Sequence, residues 1–196
     1  MNLNSEIPVD KYLVRKCAQK ARAAVKNNIS KGYRDKYSKG AQSKAANLEI
    51  MTAGFIAEAA MCIYLGLNPH DELTWRSDRP DGGYDIRMGI TTIDVKATTN
   101  VFASRLMWPV TKVDKLPTAA DIFVLALVAR APAEDGTRIV RLLGWTTRDE
   151  FIAQHFKAVK MSGIVDGTPY MNEKSLYSME ELVQHLGHVE ATKGIL

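Results

Sequence analysis

The chain has 196 residues, 46% of them apolar, which is long enough to bury a real core and suits one ordinary globular domain. Its two cysteines, Cys17 and Cys62, sit in helix-like stretches among small hydrophobes, which argues for a reducing compartment and against a disulfide framework or a zinc site. No run of about 18 apolar residues suggests a membrane span, and residues 1–10 lack the basic and apolar regions of a secretory leader, so a soluble, cytoplasmic protein is expected.

The net charge of +4 hides an asymmetry. Residues 1–50 carry eleven Lys/Arg against four Asp/Glu, and the remainder is net negative. Between Lys11 and Lys44 the single acid is Asp35. Such a stretch attracts a phosphate backbone through Coulomb attraction and counterion release, although a charge run by itself is more often a solvated helix face. The candidate phosphate contacts here are Lys16, Lys20, Lys26, Lys31, Arg34, Lys36, Lys39 and Lys44. Tyr33 and Tyr37 beside them are equally suited to stacking on bases or to anchoring a core.

In chain order, residues 9 to about 26 read as a helix, with Tyr12, Leu13, Cys17 and Ala21 at helical spacing. Residues 27–40 read as a loop, and 41 to about 66 as the strongest helix, rich in Ala, Leu, Met and Glu and closed by Gly66 and Pro69. A polar, turn-rich stretch spans 68–83. Strands are expected near 84–87 and 90–97 across Met88-Gly89, and near 106–110. The apolar run at 122–129 suits a strand buried on both faces. After the Glu134-Asp135-Gly136 turn, another strand is expected at 138–145. Thr147 and Glu150 form a capping box for a helix near 148–156. Residues 161–172 read as irregular and 178–186 as a short helix. The order implies α/β or α+β architecture with a mixed sheet of about four or five strands. With no repeat or long linker, a single domain is expected: a basic helical arm (1–40), a core (41–156) and a C-terminal extension (157–196).

The stretch that carries chemistry is Asp85-Ile86 followed by Ile93-Asp94-Val95-Lys96. In a strand, residues two apart share a face, so Asp94 and Lys96 point one way while Ile93 and Val95 enter an apolar layer. With Met88-Gly89 as the hairpin loop, Asp85 lies opposite Thr92 and joins the Asp94–Lys96 face. Two carboxylates and a lysine on one face are poor structural choices, but they suit a divalent cation, with Asp85, Asp94 and the Val95 carbonyl as hard oxygen donors. Lys96 would position a water or steady charge on the transition state. Glu58 is the third acid, in an apolar turn where a carboxylate without a partner is an odd choice; the structural alternative is an exposed Glu on the outer helix stripe. Gly54, one turn earlier, is read as allowing close approach of the sheet or a nucleic acid.

From Gly54 to Trp145 the chain resembles the PD-(D/E)xK nuclease superfamily, the restriction-endonuclease-like fold: a helix bearing Glu, a strand bearing Asp, and a strand bearing Asp-x-Lys. The resemblance implies Glu58, Asp85, Asp94 and Lys96 as the catalytic group, Mg²⁺ (with Mn²⁺ as substitute) held by Asp85, Asp94, Glu58 and the Val95 carbonyl, and DNA as substrate. Thr98 fits the small polar residue often found two positions after the lysine. The literal Pro80-Asp81 leaves Asp81 as a competitor to Asp85, which is preferred because Gly82-Gly83 puts Asp81 in a loop. The Gln-x-x-x-Tyr signature of RecB-like exonucleases is absent. Homodimerisation is implied by analogy, because two sites cut two strands.

Other features are less specific. His185 and His188 suit surface positions, and Trp145 suits a core. Trp75, Arg76 and Arg79 border the acid group and are candidate substrate contacts, while Arg105 and Lys112 flank the following strand. The alternatives to a Mg²⁺-dependent nuclease are a catalytically silent nucleic-acid-binding module on the same fold and a protein-interaction factor whose basic arm meets an acidic protein.

Overall fold

Alternation of side chains along one strand divides the molecule into two layers. The computed structural model describes residues 5–30, 44–73, 83–102, 104–159 and 164–193. Its strands are β1 (Ser5–Val9), β2 (Ile86–Met88), β3 (Thr91–Thr98), β4 (Arg105–Met107), β5 (Ile122–Val128), β6 (Arg138–Thr147), β7 (Phe156–Lys157) and β8 (Pro169–Asn172). Its α-helices are α1 (Lys11–Ser30), α2 (Lys44–Tyr64), α3 (Pro69–Glu72), α4 (Arg148–Gln154) and α5 (Met179–Lys193). A five-stranded mixed sheet has the order β1-β6-β5-β3-β2, with β3 and β5 parallel and the other pairs antiparallel. The protein is mixed α/β, with helices flanking this sheet.

Central β5 is buried along its whole length, as its unbroken apolar run demands. Ile122, Val124, Ala126 and Val128 belong to one core, and Phe123, Leu125 and Leu127 to the other. The first core lies under α1 and α2. Asp10 starts α1: its Oδ1 accepts from the backbone N–H groups of Tyr12 and Leu13 at 2.7 and 2.9 Å. The buried stripe of α1 is Leu13, Cys17, Ala21 and Val25, one every four residues. From Ile56 to Cys62, every residue of α2 is buried except Glu58, which is half-buried. Among the described residues the Ala46–Tyr64 stretch is long and apolar enough by composition to cross a membrane, with a mean hydropathy of 1.3; in this fold it packs against α1 and the sheet. The second core is closed by a smaller sheet of order β4-β8-β7, by a 3-10 segment (Val110–Thr118) and by α4. There Leu106, Trp108, Leu116, Phe151 and Met171 cluster with Phe123, Leu125 and Leu127.

Several elements differ from the sequence reading. β1 is unannounced: five residues with Pro8 gain strand character only by pairing with β6, and Pro is tolerated there because β1 is an edge strand. Tyr12, expected on the inner stripe, is 63% exposed and sits beside His70. The helix expected to end near residue 26 runs to Ser30. The strand expected at 106–110 forms as β4 but joins the second sheet, and its partner β8 lies in the stretch read as irregular. Residues 178–186 begin a longer helix, α5, whose Met179, Leu182 and Leu186 enter the first core. The described part of the expected basic arm is likewise a layer of the fold, through Val9, Leu13 and Cys17. Gly54 does not mark a close approach, since a Cβ there would meet nothing within 4 Å.

One irregularity on β6 sets which side chains reach each core. The register with β5 passes from Leu125–Gly144 to Ala126–Leu142, so Leu143 is an extra residue. Leu142 and Trp145 thereby both face the first core while Leu143 faces the second. Gly144, at φ 151°, makes this possible: a Cβ would lie 2.7 Å from the Tyr177 carbonyl oxygen and 2.8 Å from the Leu176 Cβ. Two glycine substitutions are therefore expected to act in opposite directions in urea unfolding. Gly144→Ala destabilises by about 2 kcal/mol or more through strain and overlap. Gly54→Ala, in open space inside α2, stabilises by about 0.5–1 kcal/mol through helix propensity.

Candidate active site

The β2–β3 hairpin fixes the geometry of the acid group. Its register pairs Ile86 with Ile93, Arg87 with Thr92 and Met88 with Thr91, leaving Gly89-Ile90 as the loop. The sequence reading placed the loop at Met88-Gly89 and Asp85 opposite Thr92. The actual pairing is displaced by two residues along β3, and because strand side chains alternate with period two the face assignments of β3 are unchanged. Ile93 and Val95 enter the first core. Asp94 and Lys96 lie beside Phe123 and Leu125 of β5, on the second face.

Lys96 and Asp94 are held together. The Lys96 Nζ lies 2.8 Å from Oδ1 and 2.5 Å from Oδ2 of Asp94, and 5.3 Å from the centre of the Trp108 ring. The Asp94 side chain is 9% exposed and that of Lys96 28%. The ammonium thus has a fixed seat between a carboxylate and an aromatic face, and the side chain as a whole stays partly open to solvent.

Asp85 ends the pairing of β2 with β3. Its N–H donates to the Ile93 carbonyl at 2.9 Å, and its Oδ2 accepts from the Val95 N–H at 2.7 Å. A strand residue directs its N–H and C=O to the same edge, so the Val95 carbonyl points to the side where Asp85 lies. Burial pushes the Asp85 carboxyl well above the ordinary carboxylate range, and the negative charges of Glu58 and Asp94 push it further. Relief from Lys96 and from the Val95 amide is smaller than those effects.

Glu58 arrives from α2, in the first layer. Its Oε2 is 3.9 Å from the Nζ of Lys20 on α1, and the two side chains are 14% and 11% exposed. The same ammonium lies 4.1 Å from the centre of the Phe55 ring. Glu58, Asp85, Asp94 and Lys96 are therefore coupled electrostatically, with Asp85 in the middle. Among the described residues no three His, Cys, Asp or Glu side chains converge into a ready-made metal cluster. Asp94 is paired with Lys96, and Glu58 with Lys20.

The remaining expected contacts divide into three groups. Lys26 is exposed on α1, as a phosphate contact requires. Lys16 is half-buried with its Nζ 3.0 Å from the His70 Nδ1, and Lys20 faces Glu58, so neither belongs to an open basic face in the way the charge run suggests. Lys31, Arg34, Lys36, Lys39, Arg76 and Arg79 lie outside the described residues, as do Tyr33, Tyr37, Trp75 and Asp81 and the side chain of Lys44. Thr98 accepts from the Asn100 N–H at 3.1 Å and so serves the loop after β3. Arg105 lies over the Tyr170 ring, and Lys112 is exposed. Trp145 is buried, with its Nε1 donating to the Ser178 carbonyl at 2.9 Å. Two neighbours of the acid group were not singled out for that role from sequence: Lys20, counted among phosphate contacts, and Trp108. The signal for Lys20 was its place three residues after Cys17, beside the buried stripe of α1.

Compared with known proteins, the chain matches no family model, no curated protein and no solved structure.

Asp85 generates a pH prediction. A carboxyl that holds its proton more tightly folded than unfolded makes the fold lose stability as pH rises from about 3.8 through the raised value. Asp85→Asn removes that loss, and its amide oxygen still accepts from Val95. Urea titrations in chelator are expected to show the Asn variant more stable than wild type at neutral pH, with the gap closing as pH falls toward about 3.8. A variant less stable than wild type at every pH would show that Asp85 is a structural anchor and not a strained acid.

Proposed function

We propose that this protein is a Mg²⁺-dependent deoxyribonuclease, hydrolysing DNA phosphodiester bonds on a restriction-endonuclease-like core. The observation that carries the reading is Asp94 and Lys96 on one face of β3, with Asp85 lodged at the adjoining strand end and coupled to Glu58. The donor set fits a hard divalent cation, because it consists of carboxylates and a carbonyl. Asp85, buried among like charges, is the group such a cation would relieve. Asp85 and Asp94 would hold Mg²⁺, or Mn²⁺ in its place, joined by Glu58 and the Val95 carbonyl. When bound, the ion supplies polarisation of a phosphoryl oxygen and acidification of a water.

The chain's own groups do the rest. Lys96, seated against Trp108, presents N–H donors to the phosphoryl oxygens and steadies negative charge as it builds there. It also orients the attacking water. Asp94 keeps that ammonium charged and in place. The basic face of α1 at Lys26, together with the Lys/Arg-rich sequence after it, gives the electrostatic grip on the DNA backbone. Two buried free cysteines suit a reducing, cytoplasmic setting for this activity.

The test is cleavage of linear, circular, branched and single-stranded DNA with Mg²⁺, with Mn²⁺ and with chelator. Cleavage is expected to require the metal and to fall about 100-fold or more in Asp94→Ala and in Lys96→Ala. Undiminished cutting by the Asp94→Ala protein would refute the assignment. Salt-sensitive DNA binding with no cutting under any condition would instead make the chain a silent binding module on this fold.

A further inference from the structure

The nuclease reading uses one lysine, and a second lies on the other side of the acid group. We propose that Lys20 is a positioning residue of this site, the resident counter-cation that holds Glu58 in the metal-free protein and weakens the capture of a divalent ion. This inference rests on the proposed nuclease function and deepens it.

Four observations place Lys20 in that role. The helices α1 and α2 are fastened at this level, where the Cys17 thiol donates to the Phe55 carbonyl at 3.4 Å. One turn further along each helix, the Lys20 Nζ meets Glu58 at 3.9 Å, and the pair is mostly buried, so solvent and salt screen it weakly. The ammonium also rests 4.1 Å over the Phe55 ring, an alternative seat that keeps it near when Glu58 turns away. The Cys17 thiol responds to the same charges: burial and then Glu58 push it up to about 12, while Lys20 pulls the other way. Glu58 is thus available to a metal only by giving up, or sharing, its partner. A cation approaching Glu58 also meets an ammonium of like charge.

A purely structural Lys20 would predict the opposite sign, because losing it would free Glu58 to stray and weaken metal binding. The experiment is calorimetric titration of Mn²⁺ into the full chain as wild type, Lys20→Met, Lys20→Arg and Asp94→Asn. Methionine keeps an unbranched stem against Phe55 without the charge, and arginine keeps the charge. The expected result is Mn²⁺ binding about tenfold tighter in Lys20→Met, unchanged in Lys20→Arg and lost in Asp94→Asn. In a Glu58→Gln background, Lys20→Met should change the affinity far less, since Lys20 acts through Glu58. Equal or weaker Mn²⁺ binding by Lys20→Met, with Asp94→Asn still losing it, would overturn the role of Lys20 alone. Mn²⁺ binding by Asp94→Asn as tight as wild type would overturn the metal site itself.

Discussion

A carboxylate buried among carboxylates is the constraint on which this structure turns. Asp85 sits between the charges of Glu58 and Asp94, and among the described residues it forms no salt bridge of its own. It accepts the Val95 backbone N–H, and the positive charge of Lys96 gives it some electrostatic relief. Holding it there takes a hairpin of defined register, a strand edge that ends at that point, and a helix that brings Glu58 to the same place. Local propensity supplies none of these. They come from two packed cores, one on each face of β5, which leave neither β3 nor α2 free to shift.

The division into two cores explains how groups far apart in sequence are gathered. Asp94 and Lys96 belong to the face covered by Trp108 and Phe123, whereas Glu58 belongs to the helical layer on the other side. Asp85, at the end of β2, is coupled to both, to Glu58 and to Asp94. The site is therefore a seam between layers. That location leaves the Lys96 side chain partly exposed while keeping Asp94 almost dry, and the dry surroundings strengthen their electrostatic interaction.

How much of this was legible in the sequence follows from the range of each interaction. The shared face of Asp94 and Lys96 depends only on the two-residue period of a strand, and even a misplaced hairpin loop left it intact. Glu58 stood out because its neighbours Phe55, Ile56, Ala57, Ala59, Ala60 and Met61 are all apolar. The capping box at Thr147 and Glu150 and the all-buried β5 were equally local. What escaped was decided by tertiary pairing. β1 exists because β6 offers it an edge, β4 left the main sheet for β8, and Lys20 turned inward because α1 lies against α2. Charge counting alone assigned Lys20 to solvent and to phosphate, and only the helix packing reassigns it.

A buried ion-pair network kept for stability would neutralise each of its members, and even a complete one often does less for stability than apolar side chains of the same volume. Among the described residues the pairing stops one group short: Lys20 answers Glu58, Lys96 answers Asp94, and Asp85 has no salt bridge of its own. A simple exchange of Asp85 for a neutral residue would remove the repulsion at little cost in shape. The Asp85 carboxyl lies at the centre of the network, where burial and the charges of Glu58 and Asp94 make it hold its proton well above the ordinary carboxylate range. Under the proposed nuclease function, such an arrangement is a cost to the folded chain when empty and a source of binding energy for a cation.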